Sequence, residues 1–257
     1  MRTLVAIPVF NEERYAKGVL ERVLKYVGNV LVIDDGSTDA TPSILAQFPV
    51  DVIRHCVNRG YGQSLIDAFR FAQSERYDWI ITMDCDEQHE PDRIPDFIDL
   101  AERSEHLPRH ARPDIISGSR YLTPEPADDL PPPDRRAINA ELTREINQRL
   151  GFSLTDAFCG FKAHRVSSLA SLSLSESGYA FPMQLWVQAA AARLNIAELA
   201  VRRIYVDPTR TFGQGLDNPA ERLAHYRSVL HAEIRRFQHQ LPAQASLGIS
   251  PGQYSGR

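Results

Sequence analysis

The residues best suited to chemistry are Met83-Asp84-Cys85-Asp86-Glu87-Gln88-His89, at the end of the apolar run Trp79 to Met83. Two carboxylates one residue apart, at the mouth of an apolar segment, repel each other unless a cation lies between them. Their hard oxygens suit Mg²⁺ or Mn²⁺. Such an ion would bridge diphosphate oxygens and stabilise a leaving group. Asp84 and Asp86 are therefore the candidate metal ligands. Zinc is disfavoured, because His89 is the only nitrogen donor close in sequence. A second acidic pair lies in Asp34-Asp35-Gly36-Ser37-Thr38-Asp39. It reads either as a turn with Thr38 or Thr41 capping a helix, or as a strand-end pair that hydrogen-bonds a base or ribose. Asn58-Arg59-Gly60-Tyr61-Gly62 partly matches a dinucleotide fingerprint. Leu65 stands where the third glycine belongs, and the preceding strand is the third rather than the first, so a Rossmann site is rejected.

These segments need elements to hold them. Short apolar runs at Leu4–Ile7, Val30–Ile33, Val50–Ile53, Trp79–Met83 and Asp114–Ser117 read as buried parallel strands. Helical patterns fall between them, at Lys17–Tyr26, Gln63–Ala72 and Ile94–Ala101. The alternation predicts an α/β fold, an open and mostly parallel sheet with helices on both faces. In such sheets ligands bind beyond the carboxyl ends of the strands, where the acidic segments fall. Thr123–Pro133, rich in proline and carboxylates, predicts a loop able to order over a bound ligand. Helices are expected at Arg135–Leu150 and Met183–Leu194, with a hairpin-like strand pair over Ile196–Tyr205. The last helix starts at an Asn218 cap, with Pro219 at its first position and Glu221 completing a capping box. Its stripe of Leu223, Tyr226, Leu230, Ile234 and Phe237 reads as a face packed on the sheet domain. The alternative is an interfacial helix lying on an anionic bilayer. The chain divides into a domain over 1–216, a helix over 217–240 and a disordered tail over 241–257.

With 257 residues, 43% of them hydrophobic and 24% charged, the chain is an ordinary globular protein able to bury a full core. Its net charge of -4 argues against a nucleic-acid partner. Three cysteines, Cys56, Cys85 and Cys159, without a close pair, fit a reducing compartment rather than a disulfide framework. No stretch reaches the roughly 20 apolar residues of a membrane span. The expectation is a cytoplasmic protein, with peripheral contact at the inner membrane face as the variant that a lipid acceptor would add.

Taken together, the motifs resemble those of family 2 inverting glycosyltransferases of the GT-A fold. Within that family they are most similar to the dolichol-phosphate mannosyltransferase and polyprenyl-phosphate sugar transferase branch. The ordered set is Pro8-Val9-Phe10-Asn11-Glu12, Val32–Asp39, Asn58–Gly62, Met83–Pro91, Ser117-Gly118-Ser119-Arg120-Tyr121, Thr155–Lys162 and Gly178-Tyr179-Ala180-Phe181. The resemblance implies that Pro8, Phe10, Asn11, Glu12, Asp35 and Asp84 contact the nucleotide of a GDP- or UDP-sugar. It implies that Asp84 and Asp86 hold the metal and diphosphate, with Gln88 at a further metal-site position. Arg120 would face acceptor or donor phosphates. Arg210 would contact the phosphates, and Arg135 or Arg136 would meet an acceptor phosphate. Asp86, Arg120 and Arg210 are the catalytic set so implied. Two positions depart from the branch: Gln184 stands where a glutamate is usual, and Gln214-Gly215 replace a Ser-Lys pair.

From the residues alone, Asp156 is the one late carboxylate that could serve as a general base. A phosphate acceptor is already anionic and needs none. The leading expectation is metal-dependent, inverting transfer of a sugar to an acceptor that extends to a polyprenyl phosphate. A non-catalytic nucleotide-sugar-binding module is the alternative. A nucleotidyltransferase is a weaker one, because Asn11-Glu12-Glu13 is acidic where such enzymes carry a basic glycine-rich loop.

Overall fold

The computed structural model describes residues 1–123, 128–205 and 215–249. Seven strands form one sheet: β1 (Thr3–Val9), β2 (Val30–Asp34), β3 (Asp51–Arg54), β4 (Trp79–Thr82), β5 (Ile115–Ser119), β6 (Lys162–Arg165) and β7 (Ile196–Ala200). Their order is β3-β2-β1-β4-β6-β5-β7. All neighbours pair in parallel except β6, which runs antiparallel to both β4 and β5. The helices are α1 (Ala16–Val23), α2 (Thr41–Leu45), α3 (Tyr61–Ser74), α4 (Ile94–Ser104), α5 (Pro133–Leu150), α6 (Val166–Leu169), α7 (Phe181–Ala191) and α8 (Pro219–Phe237).

The sheet is covered on both faces, so β1, β2 and β4 at its centre are apolar along their length, with polar residues only at their ends, Thr3, Asp34 and Thr82. In β1, Leu4 and Ala6 enter a core built with α3, α5, α7 and α8. Val5, Ile7 and Val9 point the other way, into a core built with α1 and α4. That two-sided demand is why Leu4–Ile7 reads as an unbroken apolar run.

The structure corrects the sequence reading in two places. Residues 196–205 do not form a hairpin. Only Ile196–Ala200 is a strand, and it pairs in parallel with β5 at the sheet edge. Ala200-Val201 lacks the turn residues that a tight hairpin requires. The chain beyond it ties back to the loop before α5, with the Asp129 N–H donating to the Arg203 carbonyl at 2.9 Å. The Arg203 N–H reaches Asp128 at 3.0 Å. The rest of that loop, residues 124–127, lies outside the described residues. The α8 stripe packs on the domain as expected: Tyr226, Leu230 and Ile234 are buried in the same core as α3 and α7, and Leu223 and Phe237 pack against it. The stripe is covered by protein, so it is not the face that would meet a bilayer. Asn218 caps α8 as expected, accepting from the Ala220 and Glu221 N–H groups. The second correction is the tail, expected to be disordered from 241, which is packed as far as Ile249. Leu241 and Ala245 are buried, and Arg149 of α5 donates to the Ala245 and Leu247 carbonyls.

Candidate active site

The carboxyl ends of β1, β2 and β4 lie side by side, as the parallel pairing requires. The first two are latched to each other. Asn11 has a left-handed backbone, φ 55°. Its N–H donates to Ser37 Oγ, and its side-chain oxygen accepts from the Thr38 N–H, both at 2.9 Å. The Glu12 N–H donates to Thr41 Oγ1 at 2.8 Å, and Glu12 is buried. Pro8 is half-buried and Phe10 is exposed. Beside this latch lies a hollow of about 340 Å³ lined by Gly36, Ser37, Thr38, Arg54, His55 and Cys56.

Asp35 is buried, and its carboxylate already has several partners. Oδ1 accepts from the Arg59 N–H at 2.8 Å and meets His55 Nδ1 at 2.6 Å. Oδ2 accepts from the Gly60 N–H at 2.8 Å. Asp35 thus fixes the Asn58–Gly62 segment against the end of β2, a role that sequence reading did not assign.

The loop after β4 carries Asp84 and Asp86. The Asp84 N–H donates to His89 Nδ1 at 2.9 Å. The His89 ring lies 5.3 Å from the Phe161 ring, stacked. Burial pushes its pKa down to about 4. His89 is therefore a neutral acceptor that shapes the loop, with Nδ1 occupied by a backbone amide. Asp86 Oδ1 accepts from the Gln88 N–H at 3.1 Å, and the intervening Glu87 takes a left-handed φ of 59°. Both aspartates are half-buried. The Tyr61 hydroxyl hydrogen-bonds Asp84, and burial together with the Asp84 charge holds its pKa well above the usual phenol value. Among the described residues no three His, Cys, Asp or Glu side chains converge as a closed metal site. Asp84, Asp86 and Gln88 lie on one loop and carry hard oxygen donors. That fits Mg²⁺ or Mn²⁺, which keep coordination positions for phosphate and water.

On the far side of β4, Arg120 closes a bidentate pair on Asp156, Nε to Oδ2 at 2.7 Å and Nη2 to Oδ1 at 3.0 Å. Asp156 is fully buried. It also accepts from Asn139 Nδ2 at 2.8 Å and from the Phe158 N–H at 3.0 Å. Burial alone would raise its pKa, but the Arg120 charge and these hydrogen bonds hold it well below the usual range. A carboxylate so bound on both oxygens is a weakened proton acceptor, which argues against Asp156 as a general base. Arg136 stacks on the Tyr121 ring at 3.9 Å, and the guanidinium groups of Arg203 and Arg120 lie 5.4 and 5.9 Å from its centroid. Arg136 and Arg120 therefore share one aromatic platform. Arg135 is half-buried in the first turn of α5. Arg210 lies outside the described residues. Gln184 is buried, and its Oε1 accepts from the Ser175 and Glu176 N–H groups at 2.6 and 2.8 Å. An amide with both a donor and an acceptor suits that position.

Tyr61, Tyr121, Arg203 and His55 escaped the sequence reading. Tyr61 and Tyr121 each lie inside a quoted motif, but nothing in their spacing shows where their rings point. Arg203 and His55 are brought in by pairings across more than seventy residues and across the sheet edge.

The sequence model of glycosyl transferase family 2 matches residues 4–172, well over half of the chain. The chain belongs to glycosyl transferase family 2. Among relatives of this family 2 member is the undecaprenyl-phosphate mannosyltransferase of Micrococcus luteus. It is 28% identical over 213 residues, covering 78% of this chain and 83% of that one. The polyprenol monophosphomannose synthase of Mycolicibacterium smegmatis is 26% identical over 212 residues, covering 78% and 76%. Both relatives carry polyprenyl-phosphate sugar transferase names, and the family 2 chain is a glycosyltransferase. Among solved structures, glucosyl-3-phosphoglycerate synthase from Mycobacterium tuberculosis in complex with Mn²⁺, UDP and phosphoglyceric acid superposes with a TM-score of 0.64. It is 18% identical and covers 94% of this chain and 79% of that one. The fold is GT-A.

Proposed function

We propose that the protein transfers a sugar, with inversion, from a GDP- or UDP-sugar to a phosphate-bearing acceptor, a polyprenyl phosphate in the first instance. The observation that carries this reading is the pairing of Asp156 with Arg120 beside the arginine platform on Tyr121. The buried carboxylate has both oxygens bound by Arg120 and Asn139, which leaves it poorly placed to take a proton from a sugar hydroxyl. The cations around it suit an acceptor that arrives as an anion. An acceptor phosphate oxygen would attack the anomeric carbon opposite the departing nucleotide. A bond to the acceptor oxygen forms, the bond to the diphosphate breaks, and the electron pair leaves with the nucleoside diphosphate. Arg136 and Arg203 would orient the acceptor phosphate, and Arg210 would meet the departing one. Asp84, Asp86 and Gln88 would hold Mg²⁺ or Mn²⁺, which would neutralise charge on the diphosphate.

The names of the relatives support the lipid phosphate. A soluble phosphate ester is the second reading. The burial of the α8 stripe favours it, since that stripe does not face a bilayer. The test offers GDP- and UDP-sugars with Mn²⁺ to three acceptors: vesicles carrying polyprenyl phosphate, the same vesicles carrying polyprenol, and 3-phosphoglycerate. Release of nucleoside diphosphate that requires the lipid phosphate is expected. Release with 3-phosphoglycerate alone would move the acceptor to solution. Release with polyprenol would overturn the phosphate acceptor.

A further inference from the structure

We propose that Tyr61 is a positioning residue of the metal site: its hydroxyl donates to Asp84 and fixes the carboxylate in the orientation that receives the ion. The inference rests on the donor and metal reading above.

Asp84 is placed where a second group has to set its direction. Its side chain is one-third exposed, and His89 Nε2 stands 3.8 Å from its Oδ2, beyond hydrogen-bond reach. The bond from the Asp84 N–H to His89 Nδ1 holds the backbone and leaves the carboxylate able to turn. The Tyr61 hydroxyl bonds that carboxylate. Between a phenol and a carboxylate that takes a metal, the hydroxyl is the donor. The two groups meet over Gly160. A Cβ built there would lie 2.7 and 3.1 Å from the Asp84 oxygens and 2.9 Å from the Tyr61 hydroxyl. Thr82 Oγ1 donates to the Gly160 carbonyl at 2.8 Å, which pins this floor to the end of β4.

Tertiary packing aims the Tyr61 ring. Tyr61 opens α3, and the start of that helix is pressed on the loop before Phe181. The Gln63 N–H donates to the Ser177 carbonyl at 3.1 Å. A Cβ at Gly60 would lie 2.3 Å from the Ser177 carbonyl oxygen, and one at Gly62 would lie 2.2 Å from that of Glu176. The Tyr61 ring stacks on Tyr179, with centroids 5.9 Å apart and planes 15° apart. Gln184 holds the same loop from α7, its Oε1 accepting from the Ser175 and Glu176 N–H groups and its Nε2 donating to Ser175 Oγ at 3.2 Å. One line of contacts therefore runs from Gln184 through this loop to Tyr61 and Asp84. The phenol occupies one lone pair of Asp84 and leaves the others for the ion. Without the hydroxyl, the cost of ordering Asp84 falls on metal binding. Loss of a hydrogen-bond partner behind a metal ligand lowers metal affinity by about ten- to a hundredfold.

Tyr61→Phe removes one oxygen and keeps a ring to stack on Tyr179. Calorimetry with UDP and with GDP, each with and without Mn²⁺, compares it with wild type. The gain in nucleotide affinity that Mn²⁺ brings should shrink by about tenfold or more, while metal-free affinity stays within about twofold of wild type. An undiminished gain would overturn the positioning role. An equal loss with and without Mn²⁺ would also overturn it, because that is the mark of a loosened fold. A wild-type protein whose nucleotide affinity ignores Mn²⁺ would overturn the metal reading, and one that binds neither nucleotide the donor reading; either result would overturn positioning with it.

Discussion

Gly160→Ala is the sharpest probe of the metal-site carboxylates, because its effect follows from the close approach of Gly160 to Asp84. A methyl group at Gly160 would lie 2.7 and 3.1 Å from the two Asp84 carboxylate oxygens and 2.9 Å from the Tyr61 hydroxyl. Carbon–oxygen contacts under 3.0 Å do not persist, so the Asp84 side chain must shift by several tenths of an ångström to about 1 Å. Asp84 is one-third exposed and has room to turn. The backbone at Gly160 takes no left-handed φ, so alanine adds no strain there. The stability cost should therefore stay near 1 kcal/mol, or about 2–4 °C in Tm for a chain of this size. Misplacement of a reacting group by about 1 Å costs on the order of a hundredfold in rate, equivalent to about 2.7 kcal/mol in the barrier. The assay is acceptor-dependent release of nucleoside diphosphate at saturating Mn²⁺, read beside a thermal melt. Gly118→Ala is the contrasting control: its Cβ would sit 2.7 Å from the Phe161 carbonyl, a backbone atom that cannot turn away. That variant should lose stability first. A Gly160→Ala protein that melts like wild type and turns over within about twofold of it would refute the placement of Asp84 in the chemistry.

Asp86→Asn should keep the fold and abolish turnover, with the Mn²⁺-dependent thermal shift produced by UDP or GDP lost; near-normal activity would remove the metal assignment. Asp156→Asn leaves the half-buried Arg120 without its counter-charge, a loss of about 3 kcal/mol, the low end for a buried pair, that should lower Tm by roughly 6–12 °C; a melt unchanged within about 2 °C would contradict it. Glu145 lies under His231, Arg227 and Arg149. Burial would raise its pKa, but hydrogen bonds from those three groups outweigh it and bring the value down from 4.5 to about 2. A carboxyl lowered on folding stabilises above its unfolded value and loses that stabilisation as pH falls. The Tm gap between wild type and Glu145→Gln should therefore be widest near neutrality and close between about pH 4.5 and about pH 2; a gap that persists at about pH 2 would mean the network is not electrostatic.

What the sequence by itself determined is what local rules decide. β1, β2 and β4 are apolar along their interiors because both faces are covered, and Asp35 and Asp84 follow β2 and β4 at the carboxyl ends where such sheets bind ligands. The α8 cap was legible because Asn218, Pro219 and Glu221 act within one turn. The resemblance located Arg120 and Arg136, but not what they touch. Tertiary structure alone decided the rest. β6 reads Lys-Ala-His-Arg, with no apolar period to betray it. It is buried because it lies between β4 and β5, and no local pattern records that position. The fate of the α8 stripe depended on whether α7 would cover it: Gln188 of α7 donates to Glu233 of α8 at 2.6 Å, and the stripe between them is closed to solvent. Asp156 looked like a free base until Arg120 was placed on both its oxygens. A carboxylate's role depends on its charge partners and its access to water, and in this chain those partners come from segments far apart in sequence.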